Sequence, residues 1–277
     1  MKNFFGIILT FIVCGCSGLE QSEQDKIRRQ NSAGEVIFRK SEEAFARNTP
    51  PEIRKREKYP WEESYVGNLP KITKDFFRCK GSNLNPNRSY INDSKQSIYL
   101  SDCRGSEQHS LPIRNEKEFI YPILLELVNY LQKKTEKKVV ITCGYRCPSH
   151  NTYADPSKEG ATSKHMIGAE VDFYVQGMED KPEEIIKLLL QFYRENPRYQ
   201  GKKEFIEFAR YDKSTDVSVH PWYNKEVMIK LYRKQEGRDL DNRHPYPYVS
   251  IQVRYDSETK ERVIYSWDKA YKGFKRY

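Results

Sequence analysis

A histidine and an aspartate seven residues apart have the residue types and spacing best suited to chemistry in this sequence. They are His165 and Asp172, in the stretch SKHMIGAEVDF, and the chain contains 5 histidines. Imidazole and carboxylate are typical zinc ligands, although a hydrolytic zinc site needs a third protein ligand and an open position for water. Gly168 would allow a tight turn that brings His165 to the strand carrying Asp172. The stretch therefore predicts either a metal site or a buried strand with ordinary polar residues.

The cysteines indicate how the chain is stabilised. Beyond Cys14 and Cys16, the sequence has Cys79, Cys103, Cys143 and Cys147. An even number favours two disulfides if the chain is exported, and the local pairing Cys79–Cys103 with Cys143–Cys147 is preferred among three possible ones. A zinc knuckle built from the same four is the weaker alternative, because no C-x-x-C is present and exported thiols tend to oxidise.

The N-terminus has the features of an export signal. Lys2 precedes an apolar run over residues 4–13 that is too short to span a bilayer, and Cys14, Gly15 and Cys16 follow. This order resembles a bacterial lipoprotein processing site, which implies cleavage before Cys16 and acylation of that cysteine. An ordinary secretory signal is the alternative. We therefore expect a cell-envelope protein anchored to a bacterial membrane by lipid.

The charge of the chain bears on its partners. The net charge is +9, from 48 basic and 39 acidic residues that are spread along the sequence. Such a surface favours anionic partners such as cell-wall polymers or phospholipid head groups. The expected compartment disfavours nucleic acid.

The sequence around His165 resembles the zinc D-Ala-D-Ala peptidases of family M15. The resemblance rests on Ser163-x-His165-x-x-Gly168-x-x-x-Asp172 and on the preceding ITCGYRCPSHN, and it extends over roughly residues 118–254. It implies that His165 and Asp172 bind one zinc ion. It also implies that Arg146 binds a substrate carboxylate or carbonyl, for which a guanidinium is well suited, and that Ser163 steadies the substrate or the ligand loop.

The third zinc ligand departs from the pattern of that family. The family uses a histidine on a late strand, but the best-matching strand, YVSIQVRYD, has Ser250 and Gln252 at the polar positions. His220 is the preferred candidate and His244 is the alternative. Without a third ligand, zinc would bind weakly or not at all.

The general base stays open among three carboxylates. Asp216 lies four residues before His220, and Asp241 lies three residues before His244. Glu170 is the third possibility, because it shares a strand face with Asp172. A base of this kind would take the proton of the attacking water and pass it to the leaving amine.

The elements that position these residues follow from the hydrophobic pattern. A helix is predicted over EKEFIYPILLELVNYLQKKT, with Asn115 as its N-cap and Glu118 at N3. A strand in KKVVITC, a strand over 169–175 and a helix beginning at Pro182 follow. EFIEFARY, KEVMIKLYRK, YVSIQVRYD and RVIYSW read as a C-terminal meander. This order predicts an α+β fold with helices on one side of an antiparallel sheet, and the resemblance implies a hedgehog/DD-peptidase-like core.

The sequence also predicts domain boundaries and a function. We predict a signal peptide over 1–15, a polar tether over 16–60, a disulfide-stapled extension over 61–110 and a peptidase-like domain over 111–277. The expected function is zinc-dependent hydrolysis of D-amino-acid peptide bonds in peptidoglycan. The alternative is a catalytically inactive lipoprotein of the same fold that binds cell-wall peptide or a protein partner. A surface adhesin is a third interpretation, suggested by the lipid anchor and the 20 tyrosines.

Overall fold

The computed structural model describes residues 25–26, 64–91, 94–157 and 160–277. The chain divides into two units, Met1–Glu57 and Lys58–Tyr277. The predicted signal peptide, the lipidation site Cys16 and nearly all of the tether lie outside the described residues. Within those described ranges, no helix has the length and apolar character needed to cross a membrane.

The second unit contains fifteen strands and five α-helices in its described part. The strands are β1 (Tyr65–Val66), β2 (Leu69–Pro70), β3 (Arg88–Ile91), β4 (Ser97–Leu100), β5 (His109–Arg114), β6 (Lys117–Glu118), β7 (Val139–Cys143), β8 (Glu170–Val175), β9 (Ala209–Arg210), β10 (Trp222–Tyr223), β11 (Val227–Tyr232), β12 (Tyr248–Val253), β13 (Tyr255–Asp256), β14 (Glu261–Arg262) and β15 (Phe274–Arg276). The helices are α1 (Pro122–Thr135), α2 (Pro148–Ala154), α3 (Pro182–Glu195), α4 (Lys203–Ile206) and α5 (Trp267–Lys272).

A six-stranded antiparallel sheet forms the centre of the unit, in the order β7-β8-β12-β11-β10-β9. Helices α1 and α3 pack against each other and against β12. A smaller sheet, β15-β5-β6, joins the C-terminal strand to the segment before α1. The α+β class predicted from the sequence is therefore confirmed.

One face of the central sheet is apolar because the strand residues alternate. Val171 lies opposite Ile251 on β12, which lies opposite Ile229 on β11. All three join the side chains of α1 and α3 in one buried cluster. Ile72 and Phe77, from the segment before β3, belong to the same cluster, so this segment shares the main core.

The opposite face of the same strands carries polar residues. Asp172 lies opposite Ser250, which lies opposite Lys230, and Glu170 lies opposite Gln252. Successive side chains of a strand point to opposite faces, so the alternation that buries Val171 places both acidic residues of β8 on this polar face.

The first long helix begins at Pro122 and not at Asn115. Asn115 and Glu116 have φ values of 50° and 63° and form the turn between β5 and β6. Two left-handed residues in a row are typical of a two-residue hairpin turn, which Asn favours. The predicted N-cap is thus a hairpin turn, and Glu118 lies in β6.

The predicted meander is partly replaced by helix and loop. KEVMIKLYRK and YVSIQVRYD contain β11 and β12. EFIEFARY instead forms α4 followed by the two-residue β9. At RVIYSW, β14 includes only the first residue, Arg262.

Candidate metal centres

His165 is held in place by a short 3-10 helix, Lys164–Ile167. The hydroxyl of Ser163 accepts a hydrogen bond from the His165 amide at 3.2 Å, which caps the first turn. Gly168 ends the turn with φ of 67°, and the chain then enters β8. The left-handed residue that reverses the chain is therefore the glycine expected from the sequence, and Ser163 caps the ligand loop.

The ring of His165 faces the two acidic residues of β8. Its Nε2 lies 3.4 Å from Oδ2 of Asp172 and 3.8 Å from Oε2 of Glu170. Its Nδ1 lies 2.6 Å from the carbonyl oxygen of Gly144. Because a carbonyl can only accept, Nδ1 carries a proton and Nε2 is the atom available to a cation.

His165 and Asp172 favour each other's charged form. Burial opposes the charge on His165, but the carboxylates of Glu170 and Asp172 raise its pKa well above the ordinary value. Burial likewise opposes the charge on Asp172, and His165 lowers its pKa.

Cys143 is a third donor that the sequence analysis did not assign to this site. Its sulfur lies 3.3 Å from Nδ1 of His165. Donor atoms of Cys143, His165 and Asp172 all lie within 4.8 Å of one another, and all three residues are buried. Burial raises the pKa of the Cys143 thiol to about 12, so a nearby cation is needed to make it a thiolate. This group could hold a metal ion.

Asp172 is oriented by an amide from a distant loop. Asn242, which is fully buried, donates from Nδ2 to Oδ2 of Asp172 at 2.9 Å. The hydroxyl of Thr142 donates to Oδ1 of Asn242 at 2.6 Å, which fixes the amide. Supporting contacts of this kind are characteristic of metal ligands.

Ser250 and Gln252 serve Glu170. The Ser250 hydroxyl and the Gln252 amide donate to Oε1 of Glu170 at 3.0 and 2.7 Å. The strand positions at which the resemblance to family M15 implies a late histidine thus carry hydrogen-bond donors to a carboxylate. Oε2 of Glu170 stays directed toward His165.

The two histidines predicted as third ligands lie elsewhere. His220 is exposed and its Nδ1 donates to the carbonyl of Tyr211 at 2.8 Å. His244 packs among aromatic rings, 5.0 Å from that of Tyr174, and burial lowers its pKa. Across the described residues, the metal-ligating groups include neither His220 nor His244. The surface hydrogen bond and the aromatic packing account for these positions.

Arg146 forms internal ion pairs with two acidic residues. Its guanidinium donates to Asp239 and, at 2.8 Å, to Oδ2 of Asp241, and the side chain is only 3% exposed. Burial opposes its charge, but Asp239 and Asp241 raise its pKa well above the ordinary value. The arginine predicted to bind substrate is therefore paired with two carboxylates of the protein itself.

Two of the predicted general bases also have other partners. Asp241 accepts from Arg146 and lies 3.1 Å from Nε2 of His150. Burial opposes its charge, yet these contacts lower its pKa. Asp216 pairs with Lys230 at 2.7 Å and accepts from Tyr232. Glu170 is the carboxylate that remains beside His165 and Asp172.

A second group of possible metal ligands includes residues of the segment before β5. It consists of Cys79, Cys103, His109 and Cys147, all buried, with donor atoms within 4.8 Å of one another. All four cysteines of the described chain are free. The sulfurs of Cys79 and Cys103 are 4.0 Å apart, about twice the length of a disulfide bond.

Both predicted disulfides are therefore wrong. Cys143 turns toward His165, whereas Cys147, the N-cap residue of α2, turns toward the other two thiols. The structure thus contains two groups that could hold a metal ion, one with a thiol, an imidazole and a carboxylate and one with three thiols and an imidazole. No protein-family model, no curated protein and no solved structure matches the chain.

Proposed function

We propose that the chain is a zinc-dependent peptidase of the cell envelope, with a DD-peptidase-like core, that cleaves D-amino-acid peptide bonds of peptidoglycan. Its zinc ligands would be Cys143, His165 and Asp172. The observation that carries the proposal is the 3.4 Å separation of His165 Nε2 and Asp172 Oδ2. This is longer than the usual hydrogen bond of ~2.7–3.2 Å. It matches the ~3.4 Å expected for two ligands that share one tetrahedral zinc ion.

The supporting contacts fit the same interpretation. Gly144 fixes the ring of His165 through Nδ1, and Asn242 fixes the carboxylate of Asp172. A histidine and a carboxylate so fixed present defined lone pairs to an ion. Three protein donors leave a fourth position, as in catalytic zinc sites.

Glu170 is the residue best placed to move a proton. Ser250 and Gln252 hold its Oε1, while Oε2 points to the same nitrogen of His165 as Asp172 does. A zinc ion bound there would polarise the scissile carbonyl and make water a stronger nucleophile at neutral pH. Glu170 would accept the proton of that water and donate it to the leaving amine.

The proposed lipid anchor and the net charge of the chain both support a peptidoglycan substrate. An N-terminal lipid on Cys16 would keep the chain beside the wall, and the net charge of +9 favours an anionic polymer.

A second candidate function is favoured by two observations. Arg146 is buried and bound by Asp239 and Asp241, so its guanidinium is not free to bind the carboxylate of a substrate. In addition, Ser250 and Gln252 replace the late histidine of the related family. A protein that binds cell-wall peptide or a protein partner without cleaving it fits these two features.

Metal analysis combined with digestion of purified muropeptides tests the two functions. We expect the full-length chain to cleave muropeptides and Asp172→Asn to lose one zinc ion and the activity. Glu170→Gln should keep the ion and lose activity by about 10²–10⁴-fold. His220→Ala is the matched control and should change neither property.

The outcomes separate the alternatives. Zinc that depends on Asp172, with no cleavage of any muropeptide by the unmutated chain, supports the binding protein. Zinc content that is the same in Asp172→Asn and in the unmutated chain overturns the peptidase, because the ion then lies elsewhere. Mass spectrometry of the products identifies the bond that is cut.

A further inference from the structure

We propose that Cys79, Cys103, His109 and Cys147 form a second, structural zinc site of the Cys₃His type. The four donors come from separate parts of the chain: the loop after the 3-10 helix Lys74–Phe77, the loop before β5, the first residue of β5 and the N-cap of α2. This site is distinct from the His165 group and does not depend on the proposed function.

The spacing of the sulfurs supports an ion and not a covalent bond. Cys79 Sγ and Cys103 Sγ are 4.0 Å apart. A disulfide requires ~2.05 Å. Two thiolates on one tetrahedral zinc ion, each with a bond of ~2.3 Å, lie ~3.8 Å apart. Since all four donor atoms lie within 4.8 Å of one another, they surround a space of the size that one zinc ion needs.

His109 provides a second, independent observation. Its Nδ1 lies 3.1 Å from the carbonyl oxygen of Ser110, so Nδ1 carries the proton. Its Nε2 is buried and has no hydrogen-bond partner among the described residues, while the residue as a whole is 5% exposed. A buried nitrogen without a partner is costly unless it binds something. A metal ion among the thiols would use its lone pair.

The set of donors also suits zinc. It contains three buried thiols and one buried imidazole. Thiolates are the form that zinc binds. Three thiolates and one imidazole make a complete tetrahedral set, which is typical of structural and not of catalytic zinc.

Gly81 shows that the chain is fitted tightly around the sulfurs. A Cβ atom at this position would lie 2.2 Å from Cys103 Sγ and 2.8 Å from Oδ1 of Asp102. Only a residue without a side chain allows this approach. The backbone therefore passes close beside the sulfur of Cys103, and all four donor residues are buried.

The site would also secure the network around Arg146. Cys103 follows Asp102, which binds Nδ1 of His150 at 2.7 Å, and Cys147 follows Arg146 itself. An ion that joins Cys103 to Cys147 fixes both neighbours at once. The proposed role is thus to tie the segment before β5 to α2 and to the loop that carries Arg146.

Cobalt substitution and thiol counting on the full-length chain, purified without oxidation, test the site. Bound Co²⁺ should give an intense sulfur-to-cobalt charge-transfer band together with the visible bands of a tetrahedral ion. Cys103→Ser should lose most of that band and one equivalent of zinc. His109→Cys should keep the metal, because four thiolates also bind zinc. Cys143→Ser, the matched control from the His165 group, should keep the strong charge-transfer band.

Alkylation of the unmutated protein keeps the test decisive if Cys103→Ser fails to fold. With zinc bound, Cys79, Cys103 and Cys147 should resist alkylation, and a chelator should make all three reactive. A Cys79–Cys103 crosslink in metal-free protein, or three thiols whose reactivity ignores the chelator, overturns the proposal. Loss of zinc from Cys103→Ser but not from Asp172→Asn supports this site and rejects the other.

Discussion

Ser250 lies directly opposite Asp172 on neighbouring antiparallel strands, and its hydroxyl donates to Glu170. The register is fixed because a slip of one residue would expose Val171 and Ile251. The position next to the candidate zinc ligand is thus occupied by a short side chain that positions a carboxylate. This arrangement gives Glu170, and not a late histidine, the central place in the proposed chemistry.

Asp172 and Asn242 should affect zinc affinity to different degrees. Replacement of a supporting residue usually costs 10–100-fold in affinity, so we expect about that loss for Asn242→Ala. Asp172→Asn removes a ligand and should cost at least about 100-fold. Competition with a chromophoric chelator measures both. His220→Ala should bind as the unmutated chain does, and equal affinities in all three variants would contradict the ligand assignment.

Arg146 should contribute strongly to stability. Arg146→Met leaves the partly buried carboxylates of Asp239 and Asp241 without their buried partner, and removal of one member of a buried ion pair costs about 3–5 kcal/mol. Urea denaturation measures this loss in the free energy of unfolding. Addition of Asp239→Asn should recover part of it, because one unpaired charge is then removed.

A surface ion pair provides the comparison for Arg146. Arg233 pairs with Glu183 at 3.2 Å, and both side chains are about half exposed. Arg233→Met should change the free energy of unfolding by no more than about 1 kcal/mol. If Arg146→Met were equally mild and instead raised KM, Arg146 would be a substrate-binding residue after all.

Asp256 should make stability depend on pH in the acid range. Burial opposes its charge, but the amide of Glu258 and the guanidinium of Arg114 lower its pKa. Because the folded-state pKa is depressed, this contribution is present above the unfolded pKa of about 3.9 and is lost as pH falls through the lower folded value.

Asp256→Asn tests this pH dependence. At pH 7 the variant should lose about 1–3 kcal/mol, since a hydrogen bond to a charged partner is removed. The difference from the unmutated chain should shrink as the pH falls below about 4. Asp268→Asn, at an exposed position paired with Lys272, should stay within about 0.5 kcal/mol. A constant difference at all pH values would contradict the assignment.

Gly81→Ala should weaken both the fold and the proposed structural zinc site. The added methyl group would lie 2.2 Å from Cys103 Sγ, and overpacking of this kind costs about 1–3 kcal/mol. Zinc release in the presence of a chelator should become faster. Gly201→Ala is the control: its φ of +75° makes alanine costly by about 1–2 kcal/mol, but a methyl group there meets open space, so zinc release should not change.

The sequence allowed good prediction where one local pattern decides the structure. Strand β8 and its polar face followed from alternation, and the turn at Gly168 followed from the need for a left-handed residue. The class of fold followed from the order of elements. The prediction of a helix N-cap at Asn115 was wrong because asparagine favours both N-caps and hairpin turns. Only the pairing between β5 and β6 decides between the two.

The metal donors were harder to predict because they depend on long-range packing. Cys143 and Cys147 are four residues apart, yet one lies at the end of a strand and the other at a helix N-cap, so they face different groups. His109 joins the cysteines only through the start of β5. No standard ligand spacing marks such a site in a sequence.

His150 connects parts of the chain that are made at different times. One ring nitrogen binds Asp102, 48 residues earlier, and the other faces Asp241, 91 residues later. The contact with Asp241 can form only after the loop that carries Asp241 has been synthesised. The same loop carries Asn242, whose amide holds Asp172. A nascent chain therefore lacks this part of the candidate site until that late segment is made and packs. Premature termination before it would remove the contacts to both His150 and Asp172.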